Sequence, residues 1–95
     1  MRAAVAQSPQ LTLITSQSEL SQLLAQHGRG EAVVGALLGT EGSHALDGQL
    51  DNIDWLYDAG FPMMGLHHFF DNWLGGCLHG ESQSGLTPFG ERAVR

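Results

Sequence analysis

The 95-residue chain is long enough for one small domain, but far too short for a closed eight-stranded (β/α) barrel, which needs about 250 residues. Its only basic residues are four arginines, and ten acidic residues bring the formal net charge to −6. This charge balance argues against nucleic acid or an anionic membrane surface as a partner. The single cysteine, Cys77, excludes an intrachain disulfide, and no stretch approaches the roughly 20 apolar residues of a membrane span. We therefore expect a soluble, cytoplasmic chain in which Cys77 is a small apolar or bystander residue of a loop.

The N-terminal third of the sequence predicts a lead-in, a short strand and a helix. Residues 1–10 are expected to be flexible, with Pro9 near their end, and residues 11–14 are β-prone. Ser16 and Glu19 have the spacing of a capping box, in which each side chain satisfies a free backbone N–H of the first helical turn. Gly28 and Gly30 predict the end of this helix.

An uninterrupted apolar run follows, and it ends in polar residues. Residues 33–38 carry no polar side chain, which predicts a strand over 33–39 that is buried on both faces of a parallel sheet. Glu41 comes at the carboxyl end of that strand, with Gly42 to turn the backbone and His44 close by. Catalytic groups gather at such strand ends in α/β folds, so Glu41 is the leading candidate. The alternative is a helix-capping or solvated carboxylate.

A second helix is expected to begin at Asp47 or Gly48 and to end at Gly60. Four aspartates recur at intervals of four, three and four residues and would share one face of this helix: Asp47, Asp51, Asp54 and Asp58. Their spacing is not that of a calcium-binding loop, so we interpret them as a solvated face. The apolar residues of the same segment recur on another face: Leu50, Ile53 and Tyr57.

The C-terminal half contains a second apolar run, residues 61–66, which ends in His67 and His68. A long polar loop over residues 69–88 follows, and Thr87 with Pro88 predicts the start of a last helix. The order of elements predicts an α/β fold with about three parallel strands and alternating helices. Parallel neighbours end side by side, so Glu41 and His68 could face one site.

Several segments of the chain resemble the membrane (renal) dipeptidase family, zinc-dependent peptidases of family M19. The matching segments are Leu-Leu-Gly-Thr-Glu-Gly-Ser-His at 37–44, Leu-Tyr-Asp-Ala-Gly at 56–60, Met-Met-Gly-Leu-His-His at 63–68, Asp-Asn at 71–72 and Gly-Leu-Thr-Pro-Phe-Gly at 85–90. The resemblance implies that residues 11–95 are an internal fragment of a TIM-like (β/α)8 barrel. Members of the family hydrolyse dipeptides with two zinc ions, and they are often homodimers.

The resemblance also assigns roles to single residues. Glu41 corresponds to the family's glutamate that bridges the two zinc ions, and His44 is expected beside the metal site without binding the metal. His68 corresponds to the histidine that contacts the substrate and helps to stabilise the oxyanion. Ser43 stands where the family has glycine, and His67 where threonine is common. A further departure is Pro62, at the start of the third strand, where the family has a residue with a backbone donor.

Other ligands of the family have no counterpart in this sequence: a His-x-Asp pair near the start of the barrel, two later histidines, and an arginine and an aspartate that bind substrate. A single carboxylate cannot hold a zinc pair, so the chain alone is expected to be inactive. Two alternatives stay open. One is a non-catalytic remnant or interaction module, and the other is a small metal-binding protein that uses the histidines His44, His67, His68 and His79, although their spacing is irregular.

Overall fold

The computed structural model describes residues 2–95, which divide into two compact units between Leu38 and Gly39. In chain order the elements are α1 (Arg2–Gln7), β1 (Leu11–Leu13), α2 (Gln17–Gly28), β2 (Val34–Ala36), β3 (Gly39–Thr40), a 3-10 turn (His44–Leu46), α3 (Asn52–Asp58), β4 (Met63–Met64) and α4 (Pro88–Val94). None of the helices over residues 2–95 has the length and apolar character that crossing a membrane requires.

The first unit contains a two-stranded parallel sheet with β1 paired to β2, and Leu13 lies opposite Ala36. The predicted capping box begins α2: the Ser16 hydroxyl accepts a hydrogen bond from the Glu19 backbone N–H at 3.3 Å, and the Glu19 carboxylate accepts one from the Ser16 N–H at 3.0 Å. The helix ends at the predicted glycine, Gly28. This part of the sequence-based prediction is therefore confirmed.

The predicted lead-in is helical in part. Arg2–Gln7 form α1, whereas an unstructured segment was expected over residues 1–10. Met1 lies outside the described residues. Alanine has the highest helix propensity, and three alanines in this segment favour a helix. The helix ends before Ser8, because the residue that precedes a proline is disfavoured in the helical conformation.

The second unit holds the other sheet, in which β3 pairs in parallel with β4 and Thr40 lies opposite Met64. Its core consists of Leu46, Leu56 and Leu74. Partly buried apolar side chains pack around this core: Ile53, Phe61, Met64, Leu66, Phe89 and Ala93. These contacts join the 3-10 turn, α3, β4, the long loop and α4 around a single cluster.

The prediction of one strand over 33–39, buried on both faces, is wrong. This stretch is split into β2 and β3, and the two halves pair with different partners. Val34 is 55% exposed and Leu37 is 40% exposed. The described residues thus form four short strands in two separate sheets, not about three strands in one. Burial on both faces requires other elements packed on each face, and the exposure of Val34 and Leu37 shows that this cover is incomplete. The parallel pairing and the α/β class are confirmed.

The second helix begins later than predicted. Asp47 (φ +48°) and Gly48 (φ +70°) both adopt left-handed backbone conformations that end the 3-10 turn, so α3 starts only at Asn52. The four aspartates therefore do not share one helical face, although all four are exposed, as expected of solvated side chains. Tyr57 was expected on the apolar face but is exposed, and Leu56 is the buried residue of α3.

The long loop over residues 69–88 is irregular, as predicted, but it is held by its own hydrogen bonds. The Asp71 carboxylate accepts from the backbone N–H groups of Cys77 and Ser82, each at 2.9 Å. These two bonds are the main reason that the pKa of Asp71 lies below its usual value. The last helix begins at Pro88 with Thr87 as its N-cap, which confirms that prediction.

Candidate functional site

Glu41 and His68 follow the two strands of the second sheet and lie at the same end of it. The Glu41 Oε1 atom is 3.4 Å from His68 Nδ1, and their side chains are 79% and 40% exposed. This proximity confirms the expectation that parallel pairing brings the two strand ends together. The contact is an ion pair only while the imidazole is protonated. Both side chains remain open to solvent and to a ligand.

A left-handed glycine makes the turn beside this pair. Gly42 has a φ of +96°, a conformation that residues with a side chain rarely adopt. A Cβ atom at this position would lie 3.3 Å from His44 Nδ1 and 3.6 Å from His68 Cβ. The absence of a side chain therefore leaves room for His44 and His68 close to the backbone next to Glu41. His44 itself is exposed, at the start of the 3-10 turn.

Two polar side chains, the buried Ser43 and the partly buried Asn72, connect the segments that carry the pair. Ser43 is 2% exposed, and its hydroxyl donates to the Leu66 carbonyl at 2.8 Å. The Asn72 side-chain amide donates to Ser43 Oγ at 3.1 Å and to the same Leu66 carbonyl at 2.8 Å. Sequence reasoning treated Ser43 only as a departure from glycine and gave Asn72 no role. The signal available in the sequence was Ser43 itself, a polar side chain at a position where the family has glycine, two residues after the candidate ligand Glu41.

The remaining histidines do not join Glu41 and His68 in one cluster. His67 is half-buried, and its buried Nε2 atom has no hydrogen-bond partner among residues 2–95. A Cβ atom on Gly75 would lie 3.0 Å from that nitrogen. His79 is separated from His68 by the Phe69 ring. The centroids of the His68 and Phe69 rings are 4.1 Å apart, and those of the Phe69 and His79 rings are 6.2 Å apart.

The residues present fit a zinc ligand set only in part. A carboxylate oxygen and an imidazole nitrogen are donors that zinc accepts, and Glu41 and His68 offer one of each. Nowhere in the described residues 2–95 do three His, Cys, Asp or Glu side chains converge on one metal position. The small metal-binding protein considered above therefore gains no support from the arrangement of the four histidines. The single cysteine is also not a ligand, because Cys77 is buried and its thiol donates to the Phe69 carbonyl at 2.8 Å.

Comparison with protein families gives a match over the whole sequence. The family model described as membrane dipeptidase (Peptidase family M19) matches residues 1–95. The match includes residues 1–10, which precede the segments that carry the resemblance in the sequence. No curated protein and no solved structure matches the chain.

Proposed function

The chain belongs to the membrane dipeptidase family of peptidases, and from this premise we propose that it supplies part of the active site of a zinc-dependent dipeptidase. The observation that carries the proposal is the contact between Glu41 Oε1 and His68 Nδ1 at 3.4 Å. It joins the two residues to which the family pattern gives a metal-binding and a substrate-binding role. The contact does not depend on these assigned roles, because the parallel pairing of β3 with β4 brings the ends of the two strands together.

We assign Glu41 the role of a metal ligand. A carboxylate has two oxygens, so it can hold one oxygen on each of two cations and offset part of their charge. The Glu41 side chain is 79% exposed, which leaves it accessible to such ions. Bound zinc supplies a water molecule that is deprotonated near neutral pH. The other ligands are assigned to chain outside these 95 residues, because the described residues contribute one carboxylate at this edge.

We assign His68 a contact with the substrate. In the imidazolium form both ring nitrogens donate hydrogen bonds, Nδ1 toward Glu41 and Nε2 toward a carbonyl oxygen of the substrate. A donor directed at the oxygen that gains negative charge stabilises the transition state. Phe69 packs edge-on against the imidazole ring, with 4.1 Å between the ring centroids. The substrate class that follows from the family is a dipeptide with a free carboxyl end.

The proposal is tested by grafting residues 11–95 into an active membrane dipeptidase in place of the corresponding segment. We expect the chimera to bind zinc and to hydrolyse dipeptides, and the 95-residue chain alone to show no activity. The recipient enzyme with its own segment is the control for expression and zinc content. A folded, zinc-loaded chimera without activity would contradict the proposal and favour the non-catalytic remnant.

A further inference from the structure

We propose that Ser43 and Asn72 form a positioning pair, which sets the distance between Glu41 and His68. Neither residue is expected to touch a metal or a substrate. The inference rests on the proposed function, because it concerns the residues that hold the candidate site together. It is carried by three side-chain hydrogen bonds among Ser43, Asn72 and Leu66 and not by any similarity between sequences.

The first hydrogen bond joins the segment that follows Glu41 to the segment that precedes His68. Ser43 comes two residues after Glu41, and Leu66 comes two residues before His68. The bond from Ser43 Oγ to the Leu66 carbonyl, at 2.8 Å, therefore ties the chain close to each candidate side chain. Because Ser43 is 2% exposed, water has little access to compete for its hydroxyl.

Asn72 braces this bond from a third segment. One amide nitrogen reaches both ends of the bond, Ser43 Oγ at 3.1 Å and the Leu66 carbonyl at 2.8 Å. Its side-chain oxygen accepts from the Leu74 backbone N–H at 2.8 Å. Leu74 is fully buried in the core of the second unit. The Asn72 amide is thus anchored to the core, and its hydrogen bonds connect the segments around Ser43 and Leu66 to the core as well.

Backbone pairing does not reach the site. The last backbone hydrogen bond between the two strands, within residues 2–95, runs from the Gly65 N–H to the Thr40 carbonyl at 2.8 Å. Glu41 and His68 lie beyond this point, and Gly42 between Glu41 and Ser43 adds a flexible position. Beyond the last backbone hydrogen bond, the side chains of Ser43 and Asn72 therefore connect the segment that carries Glu41 to the segment that carries His68.

The test measures the coupling between Glu41 and His68 by NMR in the 95-residue chain, with ¹⁵N-labelled histidine and at low temperature. In the unsubstituted chain, Glu41→Gln should shift the ring resonances of His68. In a Ser43→Ala background, the same substitution should lose most of this effect. Ser84→Ala is the matched control, because Ser84 lies in the same unit and its exposed hydroxyl is hydrogen-bonded to Ser82, not to Ser43, Asn72 or Leu66. That background should keep the full response.

An equal response in the Ser43→Ala background would overturn the proposal. A missing response in the unsubstituted chain would overturn it as well, since no contact would then need positioning. Should Ser43→Ala unfold residues 39–95, Ser43→Cys takes its place; the thiol keeps the shape of the side chain and weakens the hydrogen bonds. A reduced response is then expected, and an unchanged one contradicts the proposal. The measurement involves neither zinc nor turnover, so it can fail independently of the proposed function.

Discussion

Gly90 of α4 lies directly against the backbone of Leu74, so the helix and the long loop meet without an intervening side chain. A Cβ atom on Gly90 would contact the Leu74 carbonyl oxygen and would lie 2.8 Å from its carbonyl carbon and 3.0 Å from its Cα. The Thr87 N–H also donates to the Leu74 carbonyl at 2.8 Å. The loop is thereby fixed on the first turn of the helix.

Gly90→Ala should therefore destabilise the second unit. Alanine favours a helix over glycine by about 1 kcal/mol, whereas a forced displacement of packed backbone costs about 1–3 kcal/mol or more. The steric cost is expected to exceed the gain, because the neighbouring atoms belong to the main chain and not to a flexible side chain. Urea unfolding followed by tryptophan fluorescence measures the difference in free energy of unfolding.

Gly85→Ala is the control for this substitution, because no atom lies within 4 Å of the added Cβ. Its unfolding midpoint should stay near that of the unsubstituted chain. If Gly90→Ala proved as stable as Gly85→Ala, the close approach of α4 to Leu74 would be wrong.

Replacing Asp71 by asparagine should destabilise the second unit in a pH-dependent way. The pKa of Asp71 is lowered by hydrogen bonds from the backbone N–H groups of Ser82 and Cys77, so the charged form is favoured by folding. The stabilisation is present above the ordinary value of 3.8 and is lost as the pH falls through the lower pKa of the folded chain. Asp71→Asn should thus be less stable than the unsubstituted chain at neutral pH, and the difference should shrink in acid.

Urea midpoints across the pH range measure this effect. Asp58→Asn is the matched control for the change in net charge, since Asp58 is an exposed residue of the same unit. A stability difference between Asp71→Asn and the unsubstituted chain that is equally large in acid would exclude the carboxylate charge as its source.

In the grafted enzyme, Glu41→Gln should cause more damage than His68→Ala. The amide is neutral, so the metal pair would lose a compensating charge and an oxygen ligand, and both zinc content and turnover should fall. His68→Ala removes one donor to the reacting carbonyl, which lowers kcat by about 10²–10³ at unchanged zinc content. Zinc per chain is measured together with dipeptide hydrolysis. Two retained zinc ions and near-normal activity in Glu41→Gln would refute the metal-binding role.

The isolated chain should have low stability. Within residues 2–95 the strands are two or three residues long and each sheet has only two strands, so no further strand of this part covers the sheet edges. We expect a free energy of unfolding below about 3–5 kcal/mol, the range for cores of this size, and association at high concentration. Urea unfolding and light scattering test both expectations. A steep unfolding transition of a stable monomer would show that these short sheets suffice.

Local signals in the sequence were good predictors of structure. Ser16 with Glu19 and Thr87 with Pro88 locate the starts of two helices, because capping depends on residues close in sequence. The approach of Glu41 to His68 also followed from the sequence, since parallel strands bring their carboxyl ends together. Their chemical roles stay predictions, because they depend on ligands and a substrate that lie outside this chain's own contacts.

Features that depend on tertiary surroundings were predicted less well. The apolar composition of residues 33–38 indicates burial, but burial needs neighbouring elements on both faces, and Val34 is 55% exposed. The periodicity of the aspartates predicted a helix from Asp47, whereas this residue and Gly48 adopt left-handed conformations, with Gly48 against the Trp73 indole. The hydrogen bonds of Ser43 with Asn72 join residues far apart in sequence, and no local pattern predicts them.

The burial of Cys77 gives the chain an internal probe of its own loop. Its thiol is the only one in the sequence and is bonded to the Phe69 carbonyl, inside the segment that Asp71 organises. A thiol reagent can modify the sulfur only when this segment opens, so the rate of modification measures how often it does. Because the Phe69 ring packs against the His68 ring, the same rate also indicates how often the candidate substrate-binding imidazole loses its contact with Phe69.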